Sequence, residues 1–223
     1  MTQPPYDYPD YRSSIKRAPK QPLIRVAPSP SEMTGPGFAA LAAGRAVKDL
    51  THAFGGEALG ERIIVAGRVL DASGKPLRRT LVEVWQANAA GRYRHDGDQH
   101  GAPLDPHFDG VGYALTDDDG SFRFLSIKPG AYPWLNHPNA WRPSHIHFSV
   151  FGPGFGSRII TQMYFPGDPL LPLDPIFNSL SDVDARERLI ARFDHEALSQ
   201  EGFALGYRFD IIMSGRHATP TDR

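Results

Sequence analysis

The sequence predicts an all-β protein: an antiparallel β-sandwich with an extended N-terminal arm and one helix in its C-terminal region. Glycine (22) and proline (21) make up about a fifth of the 223 residues, which suits many turns better than a helical bundle. Short β-branched and aromatic runs are separated by turn signals every ~8–12 residues, as in sandwich folds. A helical pattern is convincing in one segment.

The predicted strands are apolar runs bounded by turn residues. Residues 62–70 form a β-branched run that ends at the Gly- and Pro-containing turn 71–76, and residues 80–86 predict the next strand. The acidic turn 117–120 lies between residues 114–116 and 121–124, which predicts a hairpin. Further strands are predicted at residues 146–151, 157–164 and 206–213.

The helix is predicted from about Ser181 to Leu198. Asp182 and Asp184 would lie near its positive N-terminal end. Leu189, Ile190 and Phe193 recur at helical spacing, which predicts core packing.

The chain divides into three predicted segments. Residues 1–60 form an arm with short helical or extended pieces that contacts other subunits, including a possible strand at 22–26 and a short helix at 38–43. Residues 61–216 form the catalytic sandwich, and residues 217–223 form a tail. The Pro/Tyr/Asp-rich composition of the first twenty residues favours an extended arm.

Composition excludes several classes of function. The formal net charge of −1 gives no sign of a nucleic-acid partner. The absence of cysteine excludes disulfides and thiolate metal sites. The N-terminus does not resemble a signal peptide, and no apolar run reaches membrane-spanning length. We therefore expect a cytoplasmic protein without a membrane partner.

Two histidines, His145 and His147, lie two residues apart in a predicted strand. Residues i and i+2 of a strand point to the same face, so both imidazoles would project together and could begin a transition-metal site. The alternative is that both are polar residues on the solvent face of an antiparallel strand. The nearby Trp141-Arg142-Pro143 and Tyr132 favour the metal site.

Two tyrosines could add oxygen ligands. Tyr132 lies between Ala131 and Pro133 in a turn that would fix its direction. Tyr93 is flanked by two arginines, and nearby positive charge favours a phenolate. Two imidazoles with two phenolates would suit Fe(III). Four histidines in loops could lie near such a site, although each alone is better explained as a surface residue: His95, His100, His107 and His137.

Five segments carry a resemblance to a known family. They are LVEVWQANAAGRYRH (81–95), APLDP (102–106), IKPGAYPW (127–134), WRPSHIHFS (141–149) and TQMYFPGDPL (161–170). In this order they closely resemble the intradiol ring-cleaving dioxygenases, from about residue 11 to 216. The most similar branch cleaves protocatechuate (3,4-dihydroxybenzoate) with O₂ to 3-carboxy-cis,cis-muconate in the β-ketoadipate pathway, and its iron-carrying β subunits assemble with α subunits.

The resemblance implies an iron site and its surroundings. Fe(III), one ion per chain, would be held by Tyr93, Tyr132, His145 and His147. Tyr132 would also act as a base. Arg142 would lie beside the bound ring, and Gln162 would be a polar group close to the ligands. The substrate pocket would be lined by Tyr11, Trp134 and Ile176.

Two other functions stay open at this point. The chain could be an intradiol dioxygenase for catechol or hydroxyquinol. It could also be a transthyretin-like β-sandwich that only binds a ligand, in which case residues 67–76 and 117–124 are fold signatures and the tyrosine–histidine set is a coincidence.

Overall fold

Two β-sheets pack face to face in this protein. A computed structural model describes residues 3–27, 29–30, 46–152 and 158–222. The helix predicted at 38–43 and the first residue of the strand predicted at 157–164 lie outside the described residues.

The first sheet is built around β1 (Arg62–Leu70), which matches the strand predicted there. β4 (Ser121–Ile127) pairs with it antiparallel. β10 (Leu205–Arg208) and β11 (Ile211–Ile212) pair with it in parallel, and the short β9 (Arg192–Phe193) pairs with β10. The sheet is therefore mixed rather than wholly antiparallel.

The second sheet is antiparallel throughout and carries the predicted histidines. Its order is β3 (Val111–Leu115), β2 (Leu81–Trp85), β7 (His145–Phe151) and β8 (Arg158–Tyr164). A separate pair, β5 (Tyr132–Trp134) and β6 (Ala140–Arg142), precedes β7 along the chain.

The core lies between the inner faces of the two sheets. Phe122 and Phe124 from β4 meet Phe148 from β7, and the ring centroids of Phe122 and Phe148 are 5.7 Å apart. Phe209, which follows β10, closes the same cluster at 5.3 Å from Phe148. Because strand residues alternate between faces, burying Phe148 turns His147 to the opposite face of the second sheet.

The predicted helix from Ser181 to Leu198 is wrong in its extent. Helix α3 covers Val183–Glu187, capped by the Asp182 side chain, which accepts a hydrogen bond from the Ala185 N–H. The chain then becomes extended because the backbone of Tyr164 bonds to Leu189 and Ala191, and β9 joins the first sheet. Leu189 is buried as predicted, whereas Phe193 is about half exposed.

Three other strand predictions are also corrected. β3 and β4 do not form a hairpin, because the turn between them passes from one sheet to the other. The strand predicted at 206–213 is two strands separated by Phe209 and Asp210, where the Asp210 carboxylate accepts a hydrogen bond from the Arg68 N–H. Residues 22–26 form no strand.

The remaining helical elements are short. α1 covers Ser14–Arg17 in the arm, and α2 covers Pro175–Asn178. Single 3₁₀ turns lie at Ala53–Gly55 and Leu171–Leu173. In the part of the chain that the structure describes, no helix is both long and apolar enough for a membrane span.

The start of the arm lies against the sandwich. The Arg12 N–H donates to the Asn136 side chain at 2.9 Å, and Asn136 donates back to the Asp10 carbonyl at 2.7 Å. Gln3 accepts hydrogen bonds from Thr221 near the C-terminus. The segment boundaries at residues 60 and 216 stay a prediction.

Candidate metal centre

Four aromatic side chains converge beside the start of β7, and we call them the four-ring cluster: Tyr93, Tyr132, His145 and His147. The His145 and His147 ring centroids are 4.8 Å apart, and Tyr132 lies 5.5 Å from His145. Tyr93 lies 5.5 Å from Tyr132 and 6.4 Å from His147. The structure thus brings together all four side chains that were predicted to bind iron.

The two histidines are not on a solvent face, as the alternative interpretation required. His145 is 2% exposed. Burial, with the nearby Arg142 charge, lowers the pKa of His145 well below its usual value and that of His147 to about 3. Both imidazoles are therefore neutral at neutral pH and keep a lone pair each.

The orientation of His145 is set by the backbone. Its Nδ1–H donates to the Pro143 carbonyl at 2.7 Å, and a carbonyl can only accept, so the lone pair lies on Nε2. Nε2 points into the four-ring cluster, 3.4 Å from the Tyr132 hydroxyl oxygen. This arrangement, in which a backbone oxygen fixes one nitrogen and the lone pair of the other faces the remaining rings, is typical of metal-binding histidines.

The phenol groups are buried, and burial raises their pKa values. The pKa of Tyr132 is raised, and that of Tyr93 is raised well above its usual value by burial and by the neighbouring Tyr132. The Tyr93 hydroxyl is buried and has no hydrogen-bond partner among the described residues. A buried polar atom without a partner is costly, which fits a group completed by a bound ion.

The expectation that the two arginines beside Tyr93 favour its phenolate is wrong. Arg94 donates to the Asp105 carbonyl at 2.6 Å and stacks over Phe54. Arg92 lies 4.0 Å from Asp98. Both arginines contact these other groups, and the cation that opposes the rise in the Tyr93 pKa is Arg142 instead.

Two glycines allow the loops that carry the tyrosines to approach each other. A Cβ on Gly91 would lie 2.2 Å from the Ala131 carbonyl oxygen, and Gly91 has a φ of 77°. A Cβ on Gly130 would lie 2.4 Å from the Ala89 carbonyl oxygen. Side chains at either position would push Tyr93 and Tyr132 apart.

Arg142 lies beside the cluster in a buried polar network. It is opposite Tyr132 in the β5–β6 register. Its Nη2 donates to Gln162, to the Tyr164 hydroxyl at 3.2 Å and to Asp174 at 3.2 Å. Burial opposes its charge, but the Asp174 carboxylate and the Tyr164 and Tyr132 side chains together outweigh this effect and raise the Arg142 pKa above its usual value.

The predicted pocket residues lie on one side of this network. The Tyr11 and Trp134 ring centroids are 5.5 Å apart, and the Arg142 guanidinium lies 5.4 Å from the Trp134 ring. Tyr11 and Ile176 line one recess together with Gln162. Tyr93, Tyr132 and His147 line a different and wider recess, so the structure does not gather all predicted residues around a single cavity.

The four loop histidines are dispersed. His95 lines the wider recess and accepts a hydrogen bond from the Gly97 N–H. His100 contacts the Trp141 ring, and His137 is exposed. His107 packs beside Gly56.

Within residues 3–27, 29–30, 46–152 and 158–222, no group of three or more His, Cys, Asp or Glu side chains could hold a metal ion. The four-ring cluster differs from such groups because half of its donors are phenols.

Comparison with known proteins establishes the family. The family model described as "Dioxygenase" matches residues 33–215, and "Protocatechuate 3,4-dioxygenase beta subunit N terminal" matches residues 1–29. The protocatechuate 3,4-dioxygenase beta chain of Burkholderia cepacia is 59% identical over all of this chain and 94% of its own length. The chain belongs to the intradiol dioxygenases.

More distant relatives support the same family assignment. The protocatechuate 3,4-dioxygenase alpha chain of Pseudomonas putida is 30% identical over 89% of this chain and 97% of its own. The solved dioxygenase domain of a carbohydrate-binding fusion protein from Streptomyces sp. SirexAA-E has a TM-score of 0.55 at 28% identity, covering 76% of this chain and 88% of that one. The prediction of an enzyme of this family, rather than a transthyretin-like binding module, is confirmed, and the family implies non-haem iron.

Sequence reasoning missed three residues that lie around the four-ring cluster and Arg142. Tyr164 could have been found, because it follows Gln162 by two positions on β8 and so shares its face. Asp174 precedes a proline in a pattern that predicts a helix cap, although not an ion pair. No sequence pattern indicated a role for Asp222, since it lies in the predicted tail.

Proposed function

We propose that this chain is the iron-binding β chain of a protocatechuate 3,4-dioxygenase. It would cleave the ring of protocatechuate between the two hydroxylated carbons, with O₂, to give 3-carboxy-cis,cis-muconate in the β-ketoadipate pathway. The observation that carries the proposal is the four-ring cluster beside the buried Arg142. Identity to the Burkholderia cepacia chain over the full length supports the choice of substrate.

The four-ring cluster would hold one Fe(III) per chain. The neutral imidazoles of His145 and His147 offer lone pairs without losing a proton, as their low pKa values indicate. Tyr93 and Tyr132 would bind as phenolates, and two anionic oxygens suit a hard trivalent ion. When bound, the iron would draw electron density from the substrate oxygens and so prepare the ring for O₂.

Tyr132 would also act as the base. Its hydroxyl oxygen lies at the edge of the cluster, on the strand pair that carries Arg142. Phenol and catechol hydroxyls have similar basicity, so a proton can pass from a substrate hydroxyl to the Tyr132 oxygen at little cost.

Arg142 would stabilise negative charge on the bound ring. The contacts with Asp174 and Gln162 hold its guanidinium in a fixed direction, so little reorganisation is needed when charge develops. Trp134, Tyr11 and Ile176 would form the apolar walls that exclude water from this side.

The chain would act together with an α subunit. Both relatives named above are chains of a two-chain enzyme by their printed names. The N-terminal arm is consistent with a segment that contacts other subunits, and the predicted cytoplasmic location stays a prediction.

The test is a visible absorption spectrum and an iron assay of the protein purified with an α chain. We expect about one iron per chain and a burgundy colour from tyrosinate-to-Fe(III) charge transfer, which shifts when protocatechuate is added without O₂. Colour without that shift would favour catechol or hydroxyquinol as substrate. An iron-loaded but colourless protein would exclude the tyrosine ligands. An iron-free protein would overturn the proposal.

A further inference from the structure

We propose that Asp222, in the C-terminal tail, is a positioning residue that orients His147 and Gln162. The inference rests on the proposed iron site, because it concerns how one of the four rings is held. It assigns a role to a segment that the sequence offered only as a tail.

The tail is fixed beside β8 by its backbone. The Asp222 N–H donates to the Ile160 carbonyl at 2.7 Å, and the Thr161 hydroxyl donates to the Pro220 carbonyl at 2.7 Å. Gln3 from the arm accepts two hydrogen bonds from Thr221. These contacts place the Asp222 carboxylate over the face of the sheet on which His147 and Gln162 are direct cross-strand partners.

Asp222 determines which way the Gln162 amide points. Gln162 Nε2 donates to Asp222 Oδ2 at 2.7 Å, and an ionised carboxylate can only accept. The amide oxygen therefore faces the opposite way, where it accepts from Arg142 and from the Tyr164 hydroxyl at 3.0 Å. The reversed amide would set NH₂ against the guanidinium, so Asp222 indirectly orients Arg142.

The same carboxylate faces the imidazole of His147. Asp222 Oδ2 lies 4.0 Å from His147 Nδ1. Within the described part of the chain, His147 Nδ1 and Asp222 Oδ1 are both buried and have no hydrogen-bond partner. Trp85 stacks on the ring with an interplanar angle of 1° and a centroid distance of 4.8 Å, which restricts the ring plane but not the position of its proton.

These observations assign the proton of His147 to Nδ1. A proton on Nδ1 is attracted by the Asp222 carboxylate that faces it. If the proton were on Nε2 instead, the lone pair of Nδ1 would face the lone pairs of the carboxylate. The Nε2 lone pair is then kept for the metal. Carboxylates that hold the second nitrogen of a ligand histidine commonly strengthen metal binding, so Asp222 would tighten the hold on iron.

The experiment compares three variants of the full enzyme, each purified with its α chain. Asp222→Ala removes both functions of the carboxylate. Asp222→Asn keeps the shape and one acceptor oxygen for Gln162. Gln3→Ala removes the arm's bonds to Thr221 and so weakens the anchoring of the tail while leaving the carboxylate in place.

The measured quantity is the rate at which a chelator removes iron, followed by the loss of visible absorbance, with kcat and KM measured separately. We expect iron release to be about 10- to 100-fold faster in Asp222→Ala, with an intermediate rate in Asp222→Asn and a rate close to wild type in Gln3→Ala. The melting temperatures of the iron-free proteins should agree between wild type and Asp222→Asn, because the effect concerns the metal.

Two results would overturn the inference. One is unchanged iron release in both Asp222 variants. The other is a Gln3→Ala rate that matches Asp222→Ala, which would show that anchoring of the tail, and not the carboxylate, matters. If Asp222→Ala does not fold, the Asp222→Asn rate decides. A wild-type protein without iron would instead overturn the proposed function, so the two failures are distinguishable.

Discussion

Arg142 and Asp174 form an ion pair that is almost fully removed from solvent. Arg142 Nη2 lies 3.2 Å from Asp174 Oδ2, and the two side chains are 4% and 0% exposed. Asp174 also caps α2, because its other oxygen accepts from the Ile176 N–H at 3.2 Å. One carboxylate thus joins the buried Arg142 guanidinium to the short helix that carries a predicted pocket residue.

Removing this carboxylate should destabilise the protein strongly. Asp174→Ala leaves a buried guanidinium without its partner, and we expect a loss of about 3–5 kcal/mol in the free energy of unfolding. Asp174→Asn keeps the helix cap and should lose less. Urea denaturation measures both. Equal losses in the two variants would show that the charge of Asp174 dominates and that the helix cap contributes little.

Tyr132→Phe should separate catalysis from iron retention. The variant loses the base but keeps three of the proposed ligands, so we expect kcat/KM to fall by about 10²–10⁴ while most of the iron is retained. Steady-state kinetics and an iron assay check this. Tyr207→Phe, which removes a phenol oxygen in the other sheet, is the control. Equal loss of iron and activity would contradict the assignment.

Gly91→Ala should disturb both tyrosines at once. Gly91 and Gly74 have similar positive φ angles of 77° and 83°, but a Cβ at Gly74 would meet nothing within 4 Å. Gly74→Ala should therefore cost only the backbone strain, about 1–2 kcal/mol. Gly91→Ala should cost a further ~1–3 kcal/mol from the clash with Ala131 and weaken the visible absorbance. If the two variants lost the same stability and kept the same absorbance, the close approach of Gly91 to Ala131 would not constrain the two tyrosines.

Asp194 should contribute to stability in a pH-dependent way. Hydrogen bonds from the Ala197 N–H and Arg208 lower its pKa in the folded state. When the pKa of a carboxyl group is lower in the folded state than in the unfolded state, the group stabilises the protein fully at pH values above the unfolded-state pKa. This stabilisation is lost as the pH falls through the folded-state pKa. Asp194→Asn should therefore have a lower urea midpoint than the wild type at pH 7. In acid the two midpoints should become equal. If the difference between the two urea midpoints stayed constant from pH 7 to pH 3, the lowered pKa of Asp194 would not be the source of this stability.

Local patterns identified much of this fold, and their failures have a common cause. The run at 62–70 is β1 to the residue, since its β-branched pattern and following turn are local properties. The helix predicted from Ser181 to Leu198 ends at Glu187 because the Tyr164 backbone, distant in sequence, takes the hydrogen bonds of Leu189 and Ala191. The acidic turn at 117–120 was recognised, but which sheet each flanking strand joins is not a local property.

The sequence by itself determined which side chains are candidates for the metal centre. The spacing of His145 and His147 places them on one face of a strand, and the motifs around Tyr93 and Tyr132 supply the phenols. Only the tertiary structure decided the environment of these groups. Burial, and not the flanking arginines, controls the pKa of Tyr93, and Asp174 and Asp222 reach the site through contacts between distant segments, which chain spacing does not encode.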